Sequence, residues 1–249
     1  MEERLEKIIK LLRMNHYMTV QALCEALAAS PATVRRALVR LDDLGQLQYV
    51  NGGALLLKPE TAANQEMHKQ KQRIAQAALA HIQPGDTLFL DAGSTNNILA
   101  DCLISFSNLQ VVTNSIYIAY RLYSAHDAIR VYVCGGSIGG PPDRLGSVAG
   151  DLAESLVRNV RANTFFMGCS AVSVSQGITD PNLPVARLKQ CMMQNAQRTI
   201  LLCDHTKLNG VHVAFVAPVS AVERMITDAQ ADKDALNQLR QAGIPVEAV

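Results

Sequence analysis

Apolar residues recur at helical spacing almost from the start of the chain. Leu5, Ile8, Ile9 and Leu12 share one side of a 3.6-residue repeat, with Glu and Lys opposite, and predict a first helix. His16-Tyr17-Met18 breaks that repeat. Thr19 offers an N-cap hydroxyl, and Val20, Leu23 and Leu27 give a second helix its apolar face. Ala28-Ala29 leads into Ser30, another N-cap, with Pro31 at the first helical position, where a missing N–H does no harm. Val34, Leu38 and Leu41 mark the inward face of a third helix, which Gly45 ends. Gln46-Leu47-Gln48-Tyr49-Val50 then alternates as a half-buried strand does. Asn51-Gly52-Gly53 supplies turn chemistry, and Ala54–Leu57 is the return strand. Three helices and a hairpin over residues 1–57 have the layout of a winged helix-turn-helix.

Residues 58–68 are polar and contain Pro59, and predict a linker running into a helix that continues through His81. From Thr87 the period changes. Short apolar runs at Thr87–Asp91, Leu109–Thr113, Arg130–Cys134, Thr164–Met167, Thr199–Cys203, Val213–Val216 and Arg224–Ile226 read as strands. Stretches between them, such as Asn97–Leu103 and Ala149–Arg158, are helical in period. Alternating βα elements predict an α/β domain over 69–249, with a mostly parallel sheet and helices on both faces. Ligands of such sheets bind beyond the C-terminal ends of the strands.

Composition narrows the function classes. Half of the 249 residues are hydrophobic (49%), so a large core is feasible. The net charge is only +1, so any nucleic-acid surface has to be local. With aromatics at 4% and no Trp, stacking platforms for single strands are disfavoured. The six cysteines form no C-x-x-C pair and several sit in apolar runs; they read as buried free thiols, with no metal and no cofactor called for. The charged N-terminus and the lack of a long apolar run predict a soluble, cytoplasmic protein that does not enter a membrane.

One local charge cluster stands out. Arg35, Arg36 and Arg40 lie on the third helix away from its inward set, and Arg36 and Arg40 share a face with Thr33 nearby. A helix that reads duplex DNA needs such a face, and the Ser30 and Thr33 hydroxyls at its start suit phosphate. A solvated cationic face balanced by Asp42 and Asp43 is the alternative. The two preceding helices and the glycine hairpin favour double-stranded DNA.

These residues resemble the DeoR-type bacterial transcriptional regulators. That family has an S-x-x-T-[IV]-R-R-D-L recognition helix and an R-x-H-G-G-A wing. This chain keeps Ser30, Thr33, Val34, Arg35, Arg36 and Leu38, then Gly52, Gly53 and Ala54; it departs at Ala37, Tyr49 and Asn51. The resemblance continues through "LDAGST" (90–95), "VVTNS" (111–115), "CGG" (134–136), "FMGCSAVSVSQGIT" (166–179), "LKQCM" (188–192), "CDHTK" (203–207) and "ITD" (226–228). It implies a repressor of a carbohydrate-use operon. Ser30, Thr33, Arg35, Arg36, Arg40, Asn51, Gly52 and Gly53 would meet operator DNA. The C-terminal domain would resemble ribose-5-phosphate isomerase and sense a small phosphorylated sugar or related metabolite. The working form would be a homodimer or homotetramer.

The ligand residues follow from chemistry and from the resemblance together. Asp91, Gly93, Ser94 and Thr95 sit between a strand and a helix start, where free N–H groups and hydroxyls hold an anion. A simple capped turn is the alternative. Thr113, Asn114, Ser115, Gly135 and Gly136 end neighbouring strands and are expected to line the same crevice. Lys207 suits a phosphate, with Asp204 orienting it; an exposed lysine is the alternative. The resemblance adds Gly168, Ser170 and Lys189, the last in a helix where a surface position is equally open. Ser170 stands where the family has an acid, and Pro184 and Val185 where it has Glu. Both changes are expected to strip carboxylates from the pocket. Cys169 beside this loop reads as a packing thiol before a redox-responsive one. An isomerase or deaminase with an accessory domain is the rival function, but the two loop positions where its base would sit carry Ser170 and Pro184.

Overall fold

The computed structural model describes residues 2–15, 17–43, 46–50, 52–56, 62–125, 128–138 and 146–249. The expected roles of Gly45, Asn51, Leu57 and the first residues of the linker fall outside them. The chain divides into two compact units, Met1–Gln65 and Glu66–Val249.

The first unit contains helices α1 (Glu2–Asn15), α2 (Val20–Leu27) and α3 (Pro31–Asp43) and strands β1 (Tyr17–Thr19), β2 (Leu47–Val50) and β3 (Gly53–Leu56). Leu5, Ile8, Leu12, Val20, Leu23, Val34, Leu38, Leu41 and Leu47 close one buried core. The expected caps are in place: Ala22 N–H donates to Thr19 Oγ1 at 3.0 Å, and Thr33 N–H donates to Ser30 Oγ at 3.3 Å. The break at Tyr17-Met18 is a strand. β1 pairs antiparallel with β3, which also pairs with β2, so the wing is three-stranded in the order β1-β3-β2. This explains Gly53: a Cβ there would stand 2.5 Å from Met18 O and 2.6 Å from the Tyr17 hydroxyl.

The turn between α2 and α3 carries local strain. Ala28 caps α2 in the left-handed region (φ 47°, ψ 46°), its N–H directed at the Cys24 and Glu25 carbonyls. A non-glycine residue pays for this conformation because its Cβ crowds the following carbonyl.

Helix α4 (Ala62–Ala78) starts before Glu66 and lies mostly in the second unit, so the stretch read as linker is already helical from Ala62; a 3₁₀ turn at Leu79–His81 follows. Then come β4 (Thr87–Leu90), α5 (Ser94–Leu103), β5 (Leu109–Thr113), α6 (Ile116–Ala125), β6 (Ile129–Val133), β7 (Ser137–Ile138), β8 (Val148–Ala149) and α7 (Asp151–Arg158). The chain continues with β9 (Ala162–Gly168), β10 (Ala171–Ser173), β11 (Gly177–Asp180), α8 (Leu183–Gln194), β12 (Ala196–Leu202), β13 (Ala214–Ala217), β14 (Arg224–Thr227), α9 (Lys233–Gln241) and β15 (Val246–Ala248). Seven strands form one sheet in the order β15-β14-β12-β9-β4-β5-β6, each pair parallel. Successive residues bury opposite faces. Phe89, Phe165, Met167 and Leu201 face one layer, while Leu88, Leu90, Phe166, Ile200 and Leu202 face the other. The strand runs are therefore apolar throughout, as a doubly covered parallel sheet requires.

Two assignments change. Val213–Val216 is a strand outside the parallel sheet: β13 pairs antiparallel with β11 in a small side sheet, β10-β11-β13. Ala149 belongs to β8, which pairs with β7 as a short ribbon, and α7 starts only at Asp151.

Ala28→Gly is expected to stabilise the first unit by about 1 kcal/mol through relief of the left-handed strain, partly offset by glycine's greater unfolded-state entropy. Urea unfolding followed by circular dichroism checks the sign.

Candidate nucleic-acid interface and ligand crevice

On α3, burial and exposure divide as an amphipathic helix demands. Val34, Leu38 and Leu41 are buried, and Ala37 with them, whereas Arg35, Arg36 and Arg40 are exposed. Arg36 Nε donates to the Ala32 carbonyl at 3.3 Å, which lays the side chain back along its own helix. At the start of α3, Ser30 Oγ and Thr33 Oγ1 are 2.9 Å apart and share one proton contact. Both hydroxyls thus stand at the helix start, already serving as its cap. In the wing Gly52 has φ 91°, a value that favours glycine, and its carbonyl accepts from Val20 N–H at 2.9 Å.

The crevice of the second unit lies where the strand order reverses. From β4 the chain moves outward through β5 and β6, then returns to β9 and proceeds the other way. Asp91 follows β4 and Gly168 ends β9, so the two flank this switch point. Asp91 Oδ1 accepts from Gly168 N–H at 2.9 Å and from Asn96 Nδ2 at 2.5 Å, tying the two strand ends together.

Lys189 is not a surface residue. It is 4% exposed, and its ammonium reaches Asp180 Oδ2 at 2.9 Å, the Gly168 carbonyl at 3.0 Å and Asp91 Oδ2 at 3.3 Å. The first two are hydrogen bonds and the third an ion pair, which leaves Asp91 Oδ2 without a hydrogen-bond donor among the described residues. Burial works against its charge, but Asp91 and Asp180 outweigh that and raise its pKa. Burial is also the largest influence on Asp91 and raises its pKa, against the lowering effect of Lys189 and of Gly168 N–H. With one cation between two carboxylates, Lys189 stays charged and Asp91 is held less firmly as an anion.

The expected loss of carboxylates is corrected by Asp180. Its Oδ2 lies 3.4 Å from Ser170 Oγ, and its Oδ1 accepts from Asn182 N–H at 2.9 Å. An acid is thus present beside Ser170, supplied by β11. Asp204 is corrected too. Thr206 donates to it through N–H and hydroxyl, and the lysine at its other oxygen is Lys71 of α4 at 3.7 Å. Lys207 lies half-buried in the next 3₁₀ turn. Lys71 Nζ also donates to Ser94 Oγ at 2.9 Å. Lys71 and Asp180 were missed, and neither sits in a motif that singles it out.

The loop at Gly93 has its own character. The first bond of α5 runs from Asn97 N–H to the Gly93 carbonyl at 2.8 Å, so the N–H groups of Ser94, Thr95 and Asn96 precede it. Gly93 supplies no side-chain cap. Its backbone is extended (φ 175°), and a Cβ built on it would meet nothing within 4 Å. Neither conformation nor crowding demands glycine here; its effect is to leave the helix start open.

Thr113, Asn114 and Ser115 serve the backbone. Thr113 Oγ1 accepts from Ser115 N–H at 3.0 Å, and Ser115 Oγ caps α6 by accepting from Ile118 N–H at 3.2 Å. The Asn114 amide bridges Ala92 N–H (2.9 Å) and the Val148 carbonyl (3.1 Å), holding the β7–β8 ribbon against the Asp91 loop. Gly136 has φ 140°, and a Cβ on it would stand 2.5 Å from Ala149 O, so this glycine serves the ribbon's close approach. Gly135 is exposed beside it. An open cavity of about 180 Å³ lies between ribbon and α8, lined by Ser137, Ser147, Ala149, Asn182, Pro184 and Val185 among others. Its helix start is closed to anions, since Asn182 caps Val185 N–H and Pro184 has none.

The six cysteines are free; Cys134, Cys191 and Cys203 are buried, and Cys24, Cys102 and Cys169 partly so. Hydrogen bonding with the Cys169 thiol and then burial raise the Cys203 pKa, while burial pushes the Cys134 thiol up to about 12. Among the described residues no cluster of His, Cys, Asp and Glu has the makings of a metal site, and no helix is long and apolar enough to cross a membrane.

Comparison with known proteins matches residues 4–60 to the DeoR-like helix-turn-helix domain and residues 66–229 to the DeoR C-terminal sensor domain. The HTH-type transcriptional regulator GolR of Listeria innocua is 32% identical over 98% of this chain and 97% of its own length. The glycerol-3-phosphate regulon repressor of Escherichia coli is 27% identical, over 98% of both. The putative aga operon transcriptional repressor of Escherichia coli O157:H7 is 28% identical, over 98% and 92%. Among solved structures, ribose 5-phosphate isomerase A of Methanocaldococcus jannaschii aligns with a TM-score of 0.40 at 14% identity, over 55% of this chain and 53% of that one.

Lys189→Met leaves Asp91 and Asp180 buried without their cation and is expected to cost about 3–5 kcal/mol at neutral pH. Without the lysine, the burial that already raises the Asp91 pKa loses its main opponent, so folding favours the protonated carboxyl of Asp91. The variant's deficit is therefore full above that raised pKa and shrinks as pH falls through it toward 4. Thermal unfolding of both proteins between pH 4 and 8 reads this out.

Proposed function

This chain belongs to the DeoR family of transcriptional regulators, and on that premise we propose how its two units divide the work. It is a DNA-binding regulator; α3 enters the major groove of a double-stranded operator, and Arg35, Arg36 and Arg40 meet phosphates and guanine edges. Ser30 and Thr33 stand at the phosphate where the helix begins, and the wing turn at Asn51, Gly52 and Gly53 follows the adjoining backbone. The observation that carries this reading is the division of α3 into a fully buried apolar face and an exposed arginine face.

In the second unit, a small phosphorylated sugar or related metabolite places its phosphate at the open start of α5. Gly93, Ser94 and Thr95 receive it there, with Lys71 beside them and Lys207 on the following turn. Asp91, Gly168, Ser170, Lys189 and Asp204 hold the floor and orient hydroxyl groups. Thr113, Asn114, Ser115, Gly135 and Gly136 shape the rim from behind. The neutral end of the ligand lies in the cavity against Pro184 and Val185, which present no charge to it. Relatives named for glycerol-3-phosphate and aga operons support a repressor of a carbohydrate-use operon. The same names, all of regulators, speak against an isomerase or deaminase. Two copies are required to meet successive half-sites about 34 Å apart.

Arg36→Ala is expected to lower operator affinity about 10- to 100-fold, the cost of about 1–3 kcal/mol for one good base or phosphate contact. Fluorescence anisotropy on a labelled operator measures it, with circular dichroism confirming the fold. Wild-type affinity should fall steeply as salt rises. Unchanged affinity in the folded variant contradicts this docking.

A further inference from the structure

Two cysteines that stand far apart in sequence meet at the ends of neighbouring strands. β9 and β12 run parallel, and their last registered pair is Gly168 with Leu202. The next residues are Cys169 and Cys203. Alternation puts both on one face of the sheet. Cys169 continues the set of Phe165 and Met167, Cys203 continues that of Leu201, and all of them belong to or pack against the same core layer. Beyond the pair the two segments stay together: Val172 bridges to Leu208 in parallel, and its carbonyl accepts from Asn209 N–H at 2.8 Å. The thiols are thus held opposite one another between two pinned points, and they are in hydrogen-bond contact.

This geometry suits a disulfide. Neighbouring strands lie about 4.8 Å apart, inside the window of about 4.4–6.8 Å between Cα atoms that an unstrained bridge needs. Closing the bond requires no opening of the sheet. The two thiols also differ as a reactive pair should. Cys169 is partly exposed beside the Ser170 loop and open to a small reagent, whereas Cys203 is 1% exposed. The Lys189 ammonium lies within electrostatic reach of Cys169, where it favours an anionic sulfur. Contact with Cys169 and then burial hold the proton on Cys203, which suits it to donate its S–H to the neighbouring sulfur.

We propose that Cys169 and Cys203 are an oxidisable pair, which a hydroperoxide closes into an intramolecular disulfide. The Cys169 thiolate attacks one peroxide oxygen. The S–O bond forms as the O–O bond breaks, and the leaving oxygen takes up the thiol's proton and departs as water or alcohol. Cys169 is then a sulfenic acid. Cys203 attacks the Cys169 sulfur next. The S–S bond forms, the S–O bond breaks, and the departing hydroxyl takes the Cys203 proton and leaves as water. Two thiols lose two electrons between them, and one hydroperoxide gains them. The consequence is local. Cys169 adjoins Gly168, whose carbonyl accepts from Lys189, and Cys203 adjoins Asp204, which pairs with Lys71. The bridge therefore clamps the β9 loop to the β12 loop at the floor of the crevice. The inference rests on the thiol pair alone and on neither the ligand nor the DNA reading.

The test treats the reduced, full-length protein with hydrogen peroxide, blocks the remaining thiols by alkylation and maps tryptic peptides by mass. Cleavage places Cys169 in 162–187 and Cys203 in 199–207, both apart from Cys191. Native wild type is expected to yield these two peptides joined, and dithiothreitol to separate them. Cys203→Ser is expected to accumulate a sulfenic acid at Cys169 that dimedone traps, and Cys169→Ser to leave Cys203 reduced. Native wild type in which both thiols stay reduced overturns the proposal. So does a bridge that forms only in urea, a bridge from Cys169 to any other cysteine, or a Cys169 sulfenic acid in wild type that never reaches Cys203. Should either serine variant misfold, the wild-type map decides alone.

Discussion

The sensor unit depends on one buried ion cluster. Lys189 projects from α8 into a buried site and meets carboxylates from the β4 loop and from β11, together with the carbonyl that ends β9. One side chain thereby fixes a helix, the main sheet and the side sheet to one another at the point where the strand order reverses. Such a cluster is weak evidence for net stability, because desolvation consumes most of the Coulomb gain. Its consequence is geometric. Two hydrogen bonds and an ion pair from one ammonium hold the loops that carry Asp91 and Gly168 together.

That fixed floor contrasts with what stands beside it. The start of α5 has free N–H groups, no side-chain cap and no Cβ at Gly93 to obstruct approach. The start of α8 is closed by Asn182 and by a proline. The two helix starts near the crevice therefore differ: one leaves its first N–H groups uncapped, the other is capped by a side chain and carries a proline. The first unit shows the same economy. Its short helices are held by one small core, and the arginines of α3 are kept out of it by the helical period alone.

Much of this was legible in the residue order. The caps at Thr19 and Ser30, the inward sets of α1 and α3 and six of the seven parallel strands followed from period and turn chemistry. What escaped did so for physical reasons. β1 is three residues long, too short for alternation to register. β13 reads like any apolar strand, and its membership of a side sheet depends on long-range pairing with β11. Lys189 falls on a helix of mixed face, and charge alone argues for solvent; only the two carboxylates brought to it by distant segments make burial tolerable. Asp180 lies ten residues from Ser170, so the carboxylate missing from one loop and present on the neighbouring strand could be matched only in space. The Asn114 bridge joins segments 34 residues apart, and no local pattern announces it.

The central claim is that the open start of α5 receives the phosphate of a small metabolite. The most direct measurement is the thermal midpoint of wild type and Ser94→Asp against small phosphomonoesters and their dephosphorylated counterparts. Asp is well tolerated at a helix start but repels an anion there. The account predicts that phosphorylated members alone raise the wild-type midpoint, with about 2.7 kcal/mol of added stability at 100 times Kd, and that Ser94→Asp folds but loses the response. Equal shifts with dephosphorylated sugars, or an undiminished response in Ser94→Asp, would contradict it.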